Sequence, residues 1–319
     1  VAVIENSKLA IIGAGSVGAS LAYAALIRSS ARTIALYDVD TRKVDAEVLD
    51  LAHGTQFTGH SRIIGGDDVS VLAGAHVVVI TAGAKQRPGQ TRLDLAASNV
   101  ALLERILPAA IEQAPDAVFI LVTNPCDVLT VVARRISGLP AERVFASGTV
   151  LDTSRLRWLL AEAAGVATSS VHAYIVGEHG DSEFPLWSTA RIGATPLTEW
   201  RVEDRIVFSP GRLDEITDQV KNAAYRVIEG KGATNYAIGL SAARIVEAIL
   251  RDENTILPVS SVLDGFHGID GVALSIPSIV GAGGVGPVLD VATTPEEERL
   301  LHSSAEAISA SDRSLGFSR

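Results

Sequence analysis

Short apolar runs and longer amphipathic stretches alternate through the first half of this 319-residue chain. KLAIIGAG (8–15) has the unbroken apolar character of a strand buried on both faces, and SVGASLAYAALIRS (16–29) has helical spacing. TIALYD (33–38) predicts a second strand and TRKVDAEVLDLAHG (41–54) a second helix. Further strands are expected near 62–65, over HVVVITAG (76–83), over AVFILVTN (117–124) and over RVFASG (143–148). Helices over 93–114 and 126–137 separate the last three. Strand–helix alternation of this kind predicts a parallel sheet covered on both faces, an α/β fold.

The rhythm changes near 149. A helix over 152–164 leads to a strand SVHAYIVG (170–177), then helices over 212–229 and 235–250, strand-like segments at 256–263 and 271–277, and a charged helix over 294–311. We therefore expect two domains: 1–148, doubly wound, and 149–319, mixed α+β. No linker, low-complexity tract or internal repeat marks the boundary.

Composition narrows the function classes. Hydrophobic residues make up 47% of the chain, yet no apolar run reaches the roughly 18 residues of a membrane span. The start, VAVIENSKLA, has no basic region followed by a long apolar stretch, so no secretion signal is expected. A single cysteine, Cys126, cannot form an internal disulfide, which fits a reducing cytoplasm. The net charge of −10, with no basic run, argues against nucleic acid and anionic membrane as partners.

Two segments match G-x-G-x-x-G: Gly13 to Gly18 and Gly281 to Gly286. The first follows a predicted strand and opens a helix, whose N-terminal amides and dipole suit a pyrophosphate. The second runs into Pro287 with no helical pattern behind it and is expected to be a glycine turn. Asp38 ends the next strand, 20 residues after Gly18, where a carboxylate accepts both ribose hydroxyls and repels a 2′-phosphate. The expected cofactor is therefore NAD in a Rossmann domain, held by Gly13, Gly15, Val17, Gly18 and Asp38, with Lys43 near the adenosine end. Gly83, Ala84, Val122, Asn124 and Ser147 end later strands on the carboxyl edge, where open parallel sheets bind ligands, and are assigned to the same cofactor.

VGEHGDSEFP (176–185) puts His179 at the end of a strand. Histidine suits proton transfer near neutral pH and needs an orienting partner, which LDTSRLR (151–157) offers as Asp152. Arg155, three residues on, shares its helix face and can grip a carboxylate with two parallel hydrogen bonds. No Cys, His and carboxylate cluster has metal-ligand spacing in the sequence, and no metal is expected.

GAGSVG, AKQRPGQTRLDL, TNPCD, LDTSRLR, GEHGDS and KGATNYAIG together, in this order and spacing, resemble the NAD-dependent lactate/malate dehydrogenase family over about residues 8 to 280. The resemblance implies that His179 gives a proton to a 2-keto acid and takes one from a 2-hydroxy acid, with Asp152 fixing its tautomer. It implies that Arg155 clamps the substrate carboxylate, that Asn124 bonds the reacting oxygen, and that Thr234 lines the substrate pocket. Cys126 departs from the aliphatic residue expected after Asn124-Pro125.

AKQRPGQTR (84–92) is a Pro-Gly turn with polar flanks, the composition of a surface flap. In the family this segment closes over substrate and brings Arg92 to the carbonyl, a preorganised donor of a kind typically worth roughly 3–4 kcal/mol in the transition state. The resemblance implies that the position of Gln86 reads the far end of the substrate. Malate dehydrogenases carry Arg there to pair the second carboxylate of oxaloacetate, whereas an uncharged amide tolerates the methyl of pyruvate. Oxaloacetate facing Gln86 would lack a buried charge pair worth roughly 2–5 kcal/mol. The resemblance thus favours pyruvate/lactate, L-handed by kinship, with malate/oxaloacetate as the alternative, since Arg87 is one residue away. An NAD-dependent glycosidase would require a metal, and a non-catalytic NAD-binding protein would not require His179, Asp152, Arg92 and Arg155 together.

Arg157 and His172 resemble the positions that bind fructose 1,6-bisphosphate in the bacterial lactate dehydrogenases it activates. A two-fold axis would double these cations into a phosphate pocket, so the expectation is an allosteric homo-oligomer, a tetramer, working in glycolysis and fermentation.

Overall fold

In a computed structural model, residues 4–84 and 92–316 are described, Arg92 only as the first backbone position of a helix. The amino-terminal half runs β1 (Lys8–Ile12), α1 (Ser16–Arg28), β2 (Thr33–Tyr37), α2 (Thr41–His53), β3 (Arg62–Gly66), β4 (Val77–Ile80), α3 (Arg92–Gln113), β5 (Val118–Leu121), α4 (Cys126–Ser137) and β6 (Val144–Ala146). These six strands lie side by side in the order β3-β2-β1-β4-β5-β6, each pair parallel. This is the doubly wound order, with its switch point between β1 and β4.

The sheet is covered on both faces because its strands alternate. Leu9, Ile11, Ile34, Leu36, Val77 and Val79 point to one side, where Leu21 and Ala25 of α1 pack. Ala10, Ile12, Val78, Ile80, Phe119 and Leu121 point to the other, against Val100, Leu103 and Leu107 of α3 and Leu129 of α4. All are buried, which explains why the strands read as continuous apolar runs.

The carboxyl-terminal half starts with α5 (Val150–Ala164). Short paired strands follow: β7 (Val171–His172), β8 (Ile175–Val176), β9 (Phe184–Pro185), β10 (Arg191–Ile192), β11 (Thr195–Pro196), β12 (Arg201–Val202) and β13 (Arg205–Ile206). Then come α6 (Pro210–Lys231), α7 (Tyr236–Leu250), β14 (Thr255–Val262), β15 (Ala273–Gly281), β16 (Gly284–Val288) and α8 (Pro295–Ser314). β14, β15 and β16 extend the parallel sheet beyond β6 as antiparallel strands, so nine strands form one sheet among the described residues. Ile245 and Ile249 of α7 join α1 on the first face of the amino-terminal sheet. α5 and α6 enclose a separate apolar cluster around Leu156, Leu160, Ile216 and Val220.

The single strand expected over 170–177 is instead two, β7 pairing with β10 and β8 with β9. The second glycine-rich match is the turn it was expected to be: Gly284, at φ +97°, sits at the reversal between β15 and β16.

Candidate active site

The glycine turn between β1 and α1 owes its shape to two close approaches. A Cβ on Gly18 would lie 1.9 Å from the Gly13 carbonyl oxygen, and one on Gly13, at φ +105°, would lie 2.7 Å from the Ala82 nitrogen after β4. Gly15 differs. A Cβ there would meet only Lys43 Nζ, at 3.8 Å, so the backbone in front of α1 is left open to a ligand. Asp38 follows β2 and is tied to this turn, its Oδ2 accepting from Ala14 N at 2.8 Å, with Lys43 Nζ 3.9 Å away. Val17 is half-buried in the first turn of α1. An open amide cradle, a carboxylate at the end of β2 and a nearby lysine fit a dinucleotide with free ribose hydroxyls.

β4, β5 and β6 are parallel neighbours, so their carboxyl ends bring Gly83, Ala84, Val122, Asn124 and Ser147 to one edge of the sheet. Gly83, Ala84 and Asn124 are exposed there, and Ser147 is buried. Sequence reasoning missed Asn99, a buried amide on α3 that fastens this edge. Its Oδ1 accepts from Ala84 N and its Nδ2 donates to the Asn124 carbonyl, both at 2.7 Å. A polar residue on an otherwise apolar helix face was the available signal. Asn124 and Pro125 are joined by a cis peptide bond.

His179 lies in the loop between β8 and β9, which three elements hold. Gly177 bridges to Ser275 of β15, Glu178 N donates to Ser304 Oγ of α8 at 2.7 Å, and His179 N donates to Asp127 Oδ2 of α4 at 2.7 Å. Opposite, Thr149 and Thr153 bind the backbone of Ile175 on β8, fixing the start of α5 against that strand. Asp152, in the first turn of α5, is thereby brought to the imidazole, with His179 Nδ1 2.7 Å from Asp152 Oδ2. The second carboxylate oxygen, Oδ1, accepts from Arg155 Nη1 at 2.6 Å.

Three residues that lie far apart or on one helix face in sequence thus form one hydrogen-bonded chain. With Nδ1 occupied by Asp152, Nε2 is the nitrogen left for a substrate. Burial opposes charge on His179, but the Asp152 carboxylate, by charge and hydrogen bond, outweighs it and lifts the imidazole to about 9. Burial likewise opposes charge on Asp152, yet His179 and Arg155 hold its carboxyl below the usual carboxylate range. The sequence pattern does not single out Glu183, the last acid of VGEHGDSEFP. It is 3% exposed, and burial followed by the charge of Asp152 pushes it up to about 8.

Asp152, His179 and Glu183 each bring one ligand-type atom within 4.8 Å of the others. Within this group Nδ1 and both Asp152 oxygens are engaged in hydrogen bonds. Cys126 is buried at the start of α4, and burial drives its thiol well above the ordinary range, so it is inert there. Thr234 is half-buried between α6 and α7; the following Asn235 donates to Ser20 Oγ of α1 at 2.9 Å. No hydrogen bond among the described residues links Thr234 to His179. Gln86 and Arg87 lie outside the described residues, as does the side chain of Arg92.

Residues 7–146 match the family description "lactate/malate dehydrogenase, NAD binding domain", and residues 149–313 match its alpha/beta C-terminal domain. The chain belongs to the lactate/malate dehydrogenase family. Its amino-terminal half is the NAD-binding unit of that family, and NAD is the cofactor that the Gly13–Gly18 turn and Asp38 fit. An L-lactate dehydrogenase of Bifidobacterium animalis subsp. lactis is 48% identical over 98% of both chains. One of Synechococcus is 47% identical, covering 94% of this chain and 97% of its own. The ligand-bound crystal structure of the minor L-lactate dehydrogenase of Enterococcus mundtii superposes with a TM-score of 0.93 at 39% identity, over 98% of this chain and 99% of the other. Among the described residues, no helix of this family member is long and apolar enough to cross a membrane.

Arg157 and His172 sit on one edge of the carboxyl-terminal half. Arg157 Nε donates to the Ala173 carbonyl at 2.9 Å, and its guanidinium lies 4.8 Å from the Tyr174 ring centre. His172 is exposed and stands opposite the exposed Arg191 in the β7–β10 pair, a third cation that the sequence pattern did not single out.

Proposed function

We propose that this protein is an NAD-dependent L-lactate dehydrogenase that interconverts pyruvate and L-lactate, with His179 as proton donor and acceptor. The observation that carries the proton role is the 2.7 Å contact between His179 Nδ1 and Asp152 Oδ2 at the head of α5. NAD, when bound, supplies the hydride chemistry. The chain's own residues do the rest. Protonated His179 gives its Nε2 proton to the carbonyl oxygen of pyruvate, and neutral His179 takes the hydroxyl proton of lactate in reverse. Asp152 stays ionised and stabilises the imidazolium. Arg155 clamps the substrate carboxylate, Asn124 bonds the reacting oxygen, Thr234 lines the pocket, and Arg92 polarises the carbonyl once the 84–92 segment closes. Gly83, Ala84, Val122, Asn124 and Ser147 complete the cofactor contact begun by Gly13, Gly15, Val17, Gly18, Asp38 and Lys43, with the domains dividing at 148.

Pyruvate is favoured over oxaloacetate because Gln86 offers no cation to a second carboxylate. Malate dehydrogenase is the second reading, since Arg87 adjoins that position. The assembly we propose is a cytoplasmic homotetramer in which Arg157 and His172 of paired copies bind fructose 1,6-bisphosphate as activator. Steady-state assays with NADH on pyruvate and on oxaloacetate test the function. A larger kcat/KM on pyruvate, unchanged by exhaustive chelation, supports it; a larger value on oxaloacetate overturns it.

A further inference from the structure

Glu183 is a buried carboxyl for which the chemistry above has no use. It is the last residue of the loop that leads from His179 into β9, four residues after the histidine, at 3% exposure. One of its oxygens is within 4.8 Å of both an Asp152 oxygen and a His179 ring nitrogen. A glutamate is rarely buried unless something pairs with it. The charged groups around it come from three elements: Asp152 and Arg155 on α5, His179 on its own loop, and Lys221 on α6. Those around His179 are Asp152, Glu183 and Asp127 of α4.

Asp152 divides its charge between Arg155, at 2.6 Å, and His179, at 2.7 Å. An imidazolium at His179 is therefore only partly compensated by Asp152, and an ionised Glu183 adds to that compensation. When His179 has given up its proton, the same carboxylate is an uncompensated buried charge beside Asp152, which favours its protonation. Burial and the Asp152 charge accordingly push Glu183 up to about 8, while the field of Glu183 helps raise His179.

We propose that Glu183 is a positioning residue that sets the charge state of His179, acting as the second counter-ion of the imidazolium beside Asp152. The inference rests on the proton role of His179 given above. Pyruvate reduction needs the imidazolium, and lactate oxidation needs the neutral ring. Removing the Glu183 charge while keeping its shape should therefore affect the two directions oppositely, which a loss of packing would not do.

The test is the pH profile of kcat/KM for pyruvate with NADH and for lactate with NAD, in the parent and in Glu183→Gln, without sugar bisphosphate. In the variant we expect the alkaline limb on pyruvate to move about one pH unit towards acid, so that activity above both limbs falls about tenfold. The acid limb on lactate should move the same way, making the variant faster than the parent at low pH. Glu183→Asp should restore most of the shift. Histidine NMR of the free enzyme should show His179 titrating lower in Glu183→Gln. Limbs and titration that coincide with the parent's, or equal loss in both directions at every pH, overturn the proposal. Glu183→Ser, smaller and uncharged, carries the same expectation if the Gln variant does not fold. A parent that does not turn over pyruvate would instead overturn the proposed function, while the NMR titration still reads the effect of Glu183.

Discussion

His179 and Asp152, 27 residues apart in sequence, meet through Nδ1 and Oδ2 at 2.7 Å, and the imidazole is held near 9 by that contact against the cost of its burial. The sign of the resulting pH dependence is fixed. A raised histidine keeps its proton until the pH climbs through the raised value, so pyruvate reduction should hold at neutral pH and fall as pH passes about 9. Asp152→Asn removes the counter-charge, and the amide can hold Nδ1 in the wrong tautomer. The alkaline limb should slide towards the ordinary histidine value of about 6.5, and kcat/KM on pyruvate at neutral pH should fall on the order of 100-fold. A limb left in place would contradict this role for Asp152.

Two glycines of one turn should behave differently when given a methyl group. Gly18→Ala puts a Cβ 1.9 Å from the Gly13 carbonyl, so the backbone must shift. The cost should be about 1–3 kcal/mol, seen as a lower melting temperature of the free protein. Gly15→Ala meets only the far end of Lys43, at 3.8 Å, and should melt like the parent. It should instead weaken NAD by about tenfold or more, because the methyl fills the opening in front of α1. Isothermal titration with NAD beside thermal melts separates the two effects.

Much of this was legible in the sequence, for reasons the structure makes plain. The six parallel strands are buried on both faces, so Leu9 to Ile12 or Val118 to Leu121 carry unbroken apolar signal. The helix Cys126–Ser137 was expected over 126–137, where Pro125 precedes it and Gly138 ends it in the left-handed conformation. The strands β7 to β13 were harder: each is two residues long, too short for any period to register. The strand expected over 170–177 broke because β7 and β8 pair with different partners. At the site, His179, Asp152 and Arg155 could be named because their chemistry is distinctive. Asn99 and Glu183 could not, since their importance comes from burial and from neighbours 15 to 31 residues away on other elements.

Asn99 should matter out of proportion to its distance from the proton chemistry. Asn99→Ala leaves Ala84 N and the Asn124 carbonyl without their partner, at a cost of about 1–3 kcal/mol for the two hydrogen bonds together. Because these groups root the carboxyl edges of β4 and β5, kcat should fall along with stability. Asn99→Asp keeps the acceptor for Ala84 and loses the donor to Asn124, and should recover activity as the pH is lowered and the new carboxyl gains a proton. A thermal melt and a kcat series across pH check both variants.

The exposed pair His172 and Arg191, with Arg157 anchored on Ala173, forms the edge proposed for the sugar bisphosphate. Pyruvate saturation should sharpen and shift to lower concentration with fructose 1,6-bisphosphate. Arg157→Gln and His172→Gln should each abolish the shift while leaving activity at saturating pyruvate near the parent's. Superimposable parent curves with and without the effector would remove this site.

In the proposed function, a neutral amide at position 86 selects pyruvate. The most direct measurement compares kcat/KM on pyruvate and oxaloacetate for the parent and for Gln86→Arg. A parent preferring pyruvate, with the variant turned towards oxaloacetate by roughly 2–5 kcal/mol in ratio, is the predicted result. A parent that already prefers oxaloacetate, or a substitution that leaves the ratio unchanged, would contradict it.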